Sequence, residues 1–282
     1  MEWRGGRQSR NIEDRRGQRR AGGGAAIGGV GMLAILAIGY FLGIDVTPLL
    51  NDPGAGATQG GGELTEADRA AGEFVGVSLG YTEAIWAKEF NAQLGRKYNP
   101  VTLVLFKGAT QSPCGSASGA TGPFYCPGDK KVYLDTDFFT TMERQLGARG
   151  DFAMAYVVAH EVAHHVQDEL GILGKANQIR SQVSQAESNQ ISVMIELQAD
   201  CLSGVWARGV HEEFGAIEKG DFEEALNAAR QIGDDTLQRN AGQRPMPHTF
   251  THGTSEQRAR WFYTGLETGD INACNTFEAR DL

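Results

Sequence analysis

The sequence predicts an α+β fold, mainly helical with a small β-sheet, preceded by a single transmembrane helix. Three observations carry that prediction. Apolar residues recur at helical spacing behind capping residues through most of the chain, only two short runs are rich in β-branched and aromatic residues, and residues 21–44 carry no charge. The 282 residues leave room for one sizeable domain plus appendages.

Residues 1–20 carry seven arginines (Arg4, Arg7, Arg10, Arg15, Arg16, Arg19, Arg20) against Glu2, Glu13 and Asp14. That is a net +4 within a chain of −9, so the remainder stands at −13. An acidic main domain argues against nucleic acid as a partner. The apolar stretch from Ala25 to Leu42 is long enough to cross a bilayer as a helix. With arginines crowded before it and Asp45 and Asp52 after it, the positive-inside rule puts the N-terminus in the cytoplasm. The domain then lies outside the bacterial plasma (inner) membrane, in the periplasm or its equivalent. No small-x-small site closes the run, which favours an uncleaved anchor over a signal peptide. The expected organisation is a basic cytoplasmic arm at 1–20, a membrane helix at 21–44, a Gly-rich linker at 45–63 and one domain at 64–282.

Within the domain, Thr65-x-x-Asp68 resembles a capping box, and Phe74, Val77 and Leu79 continue a helical pattern. A second helix is expected over Thr82–Leu94, burying Ile85, Trp86 and Phe90. Val101–Phe106 and Lys131–Asp135 read as strands, and Tyr133 lies on a strand that offers an edge to an extended peptide. Asp151 and Gly171 bracket a further helix over Tyr156–Gln167. Residues 175–189 are polar, a surface helix or a crossing. Helical periodicity resumes over Ile191–Val210, Asp221–Glu224 opens another helix, and Thr254–Gln257 opens a last one ending near Gly265. Four cysteines in an exported domain imply two disulfides. Three pairings exist; Cys114 with Cys126 closes a short loop, which leaves Cys201 with Cys274. No C-x-x-C pair is present, which argues against cysteine-bound zinc.

The chemistry centres on His160-Glu-Val-Ala-His164. Histidines four apart lie on one helix face and can grip one metal ion, while the intervening Glu161 sits where it can act as general base on a water. A catalytic zinc needs a third protein ligand and an open position. Gln167 and Leu170 stand where one large branch of such proteases has Gly and a third His, so that branch is excluded. Glu196 and Asp200 instead lie one turn apart on an apolar helix, where carboxylates are costly unless they bind something. Glu196 is assigned as third ligand. Asp200 is assigned the far N–H of a ligand histidine. His165 follows His164 directly and points about 100° away around the helix, so it is read as a packing residue.

These motifs, with Gly122-Pro-Phe-Tyr-Cys-Pro127 and Thr251-His-Gly-Thr-Ser-Glu-Gln-Arg258, together resemble the bacterial putative neutral zinc metallopeptidases, which are membrane-anchored with one extracytoplasmic domain. The layout is also similar to the wider group of Ste24/HtpX-type peptidases. The resemblance implies a zincin-like fold, one Zn²⁺ per chain and a peptide or protein substrate. By the same likeness His252 would bond the developing oxyanion and Arg258 would pair with an acid such as Asp200. The expected activity is a membrane-anchored zinc endopeptidase with Glu161 as base. The alternative is a non-catalytic envelope factor held together by zinc and disulfides. Neither composition nor spacing sets the oligomeric state.

Overall fold

The computed structural model describes residues 1–17, 63–118 and 121–282. In chain order these form β1 (Ile12–Asp14), α1 (Glu66–Leu94), β2 (Thr102–Phe106), β3 (Ala109–Ser112), β4 (Gly115–Ser118), β5 (Phe124–Cys126), β6 (Lys131–Asp135), α2 (Asp137–Arg144), α3 (Asp151–Glu169), α4 (Ile172–Arg180), α5 (Gln185–Phe214), α6 (Asp221–Gln231), α7 (Asp234–Asn240) and α8 (Ser255–Thr268). Helices predominate beside a four-stranded sheet of order β1-β2-β6-β5 and a β3-β4 hairpin, the α+β class expected. β1, β2 and β6 run parallel, and β5 pairs antiparallel to β6 as an edge.

Local chemistry explains the helix boundaries. Thr65 and Asp68 form a reciprocal capping box on α1, Ser184 and Glu187 do so on α5, and Thr254 and Gln257 on α8. Each of these helices stops at a left-handed glycine: Gly95, Gly215 and Gly269. The two helices expected over residues 64–94 are one, because Gly80 does not end the turn; it clears space for the backbone of Arg7. Likewise α8 runs past Gly265 to Thr268, since Gly265 sits where α8 crosses α5. A side-chain carbon on Gly265 would overlap the Cys201 carbonyl oxygen, and one on Gly204 would overlap that of Phe262. The two backbones touch, which fixes the helix bearing Glu196 and Asp200 against the one bearing Arg258.

The core gathers around α3, wedged among α1, α5 and α6, with Trp86, Phe90, Phe152 and Trp206 fully buried. Phe152 stacks on Trp206 with ring centroids 5.8 Å apart. Two disulfides fasten the periphery. Cys114–Cys126 pins the β3-β4 hairpin to β5, and Cys201–Cys274 pins the C-terminal turn Ile271–Cys274 to α5.

One expectation is corrected. Of the basic arm expected at 1–20, residues 1–17 are described, and they pack onto the domain: β1 pairs with β2, and Arg16 is 6% exposed. Sequence charge alone pointed to an arm; the physical reason for the packed form is that β2, apolar on both faces, takes a partner along its edge. Among the described residues no helix is long and apolar enough to cross a membrane. The run at 21–44 and nearly all of the linker at 45–63 lie outside them.

Candidate metal centre and active site

Helix α3 places His160 and His164 on one face with ring centroids 4.8 Å apart. Helix α5 crosses that face and sets Glu196 between them. Its Oε2 lies 3.0 Å from His160 Nε2, and its Oε1 lies 3.5 Å from His164 Nε2. All three donor atoms fall within 4.8 Å of one another. A tetrahedral zinc with bonds of about 2.0–2.1 Å holds neighbouring donors about 3.3–3.5 Å apart. Two imidazole nitrogens and the Glu196 carboxylate, whose two oxygens lie 3.0 and 3.5 Å from them, suit such an ion.

Each histidine is oriented from behind. His160 Nδ1 approaches Asp200 Oδ1 at 2.9 Å, out of line with an ideal ring N–H bond. Asp200 is fully buried, and accepts from Arg258 Nε at 2.8 Å, from Arg258 Nη2 at 3.0 Å and from the Tyr156 hydroxyl. His164 Nδ1 instead meets Gln167 Oε1 at 2.8 Å, while the Gln167 amide donates to Ile195 O at 2.8 Å and Gln198 Oε1 at 3.0 Å. The two metal helices are thus joined by an ion pair at one histidine and by an amide at the other.

Glu161 is 8% exposed beside this cluster and is not one of the three converging donors. Burial pushes its carboxyl above the usual range, against the pull of His164 and His160. Burial also disfavours the His160 imidazolium, but Asp200 and Glu196 outweigh it and raise that group to about 10. Protons therefore compete with a metal for His160. Zinc uptake by the metal-free protein releases protons, and its apparent affinity falls as pH drops; competition titrations at about pH 8 and about pH 6 check this, and equal affinities at both would contradict it.

The loop before α8 brings His252 to the same cleft. His252 Nδ1 lies 3.2 Å from Asp234 Oδ1, and the backbone N–H groups of Thr251, His252 and Gly253 donate to Asp234 Oδ2 at 2.7, 2.6 and 3.0 Å. Burial works against the charged form of His252, but the bond to Asp234 prevails and raises its pKa. The cleft encloses about 500 Å³ between Phe124 and Tyr125 of the edge strand, the metal cluster, His252 and Leu173 of α4.

His165 is turned away, as its position on the helix requires. Its Nε2 meets Asn99 O at 2.8 Å, and burial lowers its pKa. Tyr133 lies on β6, an interior strand, so the edge offered to a peptide belongs to β5 instead; Tyr133 stacks on Phe124 with centroids 5.1 Å apart. The sequence reading missed Tyr156, although it precedes His160 by one turn on the same face. It also missed Asp234, for which only the run of polar residues opening α7 gave a signal.

The sequence matches the family described as "Putative neutral zinc metallopeptidase" over residues 1–277. The uncharacterized protein YpfJ of Escherichia coli K12 is 43% identical over 289 residues, spanning 98% of this chain and 99% of that protein. Uncharacterized proteins Mb2605 of Mycobacterium bovis and Rv2575 of Mycobacterium tuberculosis are each 45% identical over 195 residues, 66% of this chain and 65% of theirs. No solved structure matches the chain. With a family match that takes in both metal helices and the N-terminal strand, the chain belongs to the putative neutral zinc metallopeptidases.

Proposed function

We propose that the chain is a zinc endopeptidase with a zincin-like active site that cleaves extended protein segments outside the cytoplasm. The observation that carries this reading is the convergence of His160, His164 and Glu196 beside a buried Glu161 that is not one of their number. A purely structural metal site has no use for such a base. The two disulfides support an oxidising compartment.

Zinc held by the three donors would polarise a substrate carbonyl and acidify a water. Glu161 takes the proton of the attacking water and returns it to the leaving amine. Asp200, steadied by Arg258 and Tyr156, keeps the His160 Nε2 lone pair directed at the site. His252, held by Asp234, donates a hydrogen bond to the oxygen that becomes negative in the transition state. The free edge of β5 borders the cleft, where an extended peptide adds as a further strand.

The deciding experiment incubates the zinc-loaded, oxidised protein with a heat-denatured protein mixture and reads new peptide termini by mass spectrometry. Cleavage that chelation stops and zinc restores is the expected result. Zinc bound without any new termini would overturn the peptidase reading and leave the envelope-factor alternative. Replacing His252 by Phe lowers turnover about 10²-fold while zinc stays bound; an unchanged kcat in that variant would remove His252 from the reaction.

A further inference from the structure

Residues 1–17 supply nothing to the metal site, yet they are built into the domain. Ile12 pairs with Leu103 and Asp14 with Leu105, extending the sheet. Ahead of the strand, the segment lies along α1. Gly72, Gly76 and Gly80 recur every four residues and clear one face of that helix. A side-chain carbon on Gly80 would overlap the Arg7 carbonyl, one on Gly76 would press against Gln8, and one on Gly72 would overlap the Arg16 guanidinium.

The polar groups of the segment find partners there. Arg7 Nη2 donates to Gly80 O at 2.9 Å and to Glu83 Oε2 at 2.8 Å. Ser9 N–H donates to Gly76 O at 2.9 Å, and Asn11 Nδ2 donates to Glu83 Oε1 at 2.7 Å. Buried Arg16 pairs with Asp14 and donates to the Asp68 carbonyl. Detaching the segment would open the edge of β2 and leave the glycine face of α1 uncovered.

We infer that residues 1–17 lie on the same side of any membrane as residues 63–282, because the glycine face of α1 is a docking surface whose occupant is the chain's own N-terminal segment. A bilayer crossed once between residues 17 and 63 would hold the two partners apart on opposite faces. The arginines ahead of the uncharged run 21–44 suggest one crossing by charge alone. One of them answers a carboxylate of the domain, Arg7 to Glu83, while Arg15 and Arg16 pair with Glu13 and Asp14 inside the segment itself. If the domain works outside the cytoplasm, its first segment is outside with it.

Single cysteines test this. A Cβ at Gly17 or at Gly174 meets nothing within 4 Å, so Gly17→Cys and Gly174→Cys leave the packing intact. The four native cysteines are paired, so each variant carries one free thiol. Spheroplasts expressing the full chain are treated with a membrane-impermeant maleimide, before and after detergent lysis. The expected result is the same accessibility for both thiols, whichever side that is. Labelling of one with protection of the other in intact spheroplasts overturns the inference. A second measurement addresses the docking itself. In the purified wild-type chain, trypsin spares the bonds after Arg7 and Arg16, and Gly80→Val exposes them. Rapid cleavage there in wild type, or equal protection in both proteins, overturns it as well.

Discussion

Replacing Glu161 by Gln leaves zinc bound and lowers peptide hydrolysis by about 10²–10⁴-fold, the contribution of a positioned general base. The substitution is nearly isosteric, and Glu161 is not among the three converging donors, so the metal cluster keeps its ligands. Only proton transfer is lost. Metal content by elemental analysis, alongside cleavage of a denatured protein, separates the two effects. Full activity in Glu161→Gln would end the proposed mechanism, whereas loss of zinc together with activity would make Glu161 part of the metal shell.

Replacing Arg258 by Met strands a buried carboxylate. Asp200 is fully buried and takes two bonds from Arg258, at 2.8 and 3.0 Å. Removing one partner of a buried ion pair costs about 3–5 kcal/mol, because the remaining charge stays desolvated. Asp200→Asn introduced into the Arg258→Met background restores part of the loss, since the uncompensated charge is then gone. Urea denaturation of the zinc-free proteins measures both steps. Zinc affinity of Asp200→Asn falls about 10–100-fold, the usual penalty for disturbing the group behind a ligand histidine. A loss below about 1 kcal/mol in Arg258→Met would show the pair to be no more than a surface-grade contact.

What the sequence revealed, and what it hid, follows from the range over which each signal acts. His160 and His164 are legible because the helical period alone puts them on one face. Glu196 and Asp200 share that advantage, and the apolar residues around them mark both acids as unusual. The capping boxes at Thr65 and Thr254 are equally local, whereas the one at Ser184 was passed over inside the polar stretch 175–189, so that helix starts at Gln185 rather than near Ile191. β1 is different: three residues, two of them acidic, pair with a strand some ninety positions on, and nothing within Ile12–Asp14 announces that partner. The same short range hid β5, which is three residues long, and so the edge went to Tyr133 rather than Phe124. Tyr156 read as one more apolar position of α3 because its hydroxyl matters only once Asp200 arrives from α5. Asp234 becomes meaningful only when the loop at Thr251–Gly253 folds over it.

The unequal backing of the two ligand histidines bears on how the ion is held. His160 leans on an ionised carboxylate, His164 on the neutral amide of Gln167. An imidazole backed by a carboxylate is the more basic donor and the firmer ligand. A zinc ion held by these residues would be gripped less firmly by His164 than by His160. The amide of Gln167 carries no charge of its own, and it reaches α5 through Ile195 O and Gln198 Oε1, so the orientation of the His164 ring rests on the clamp between α3 and α5.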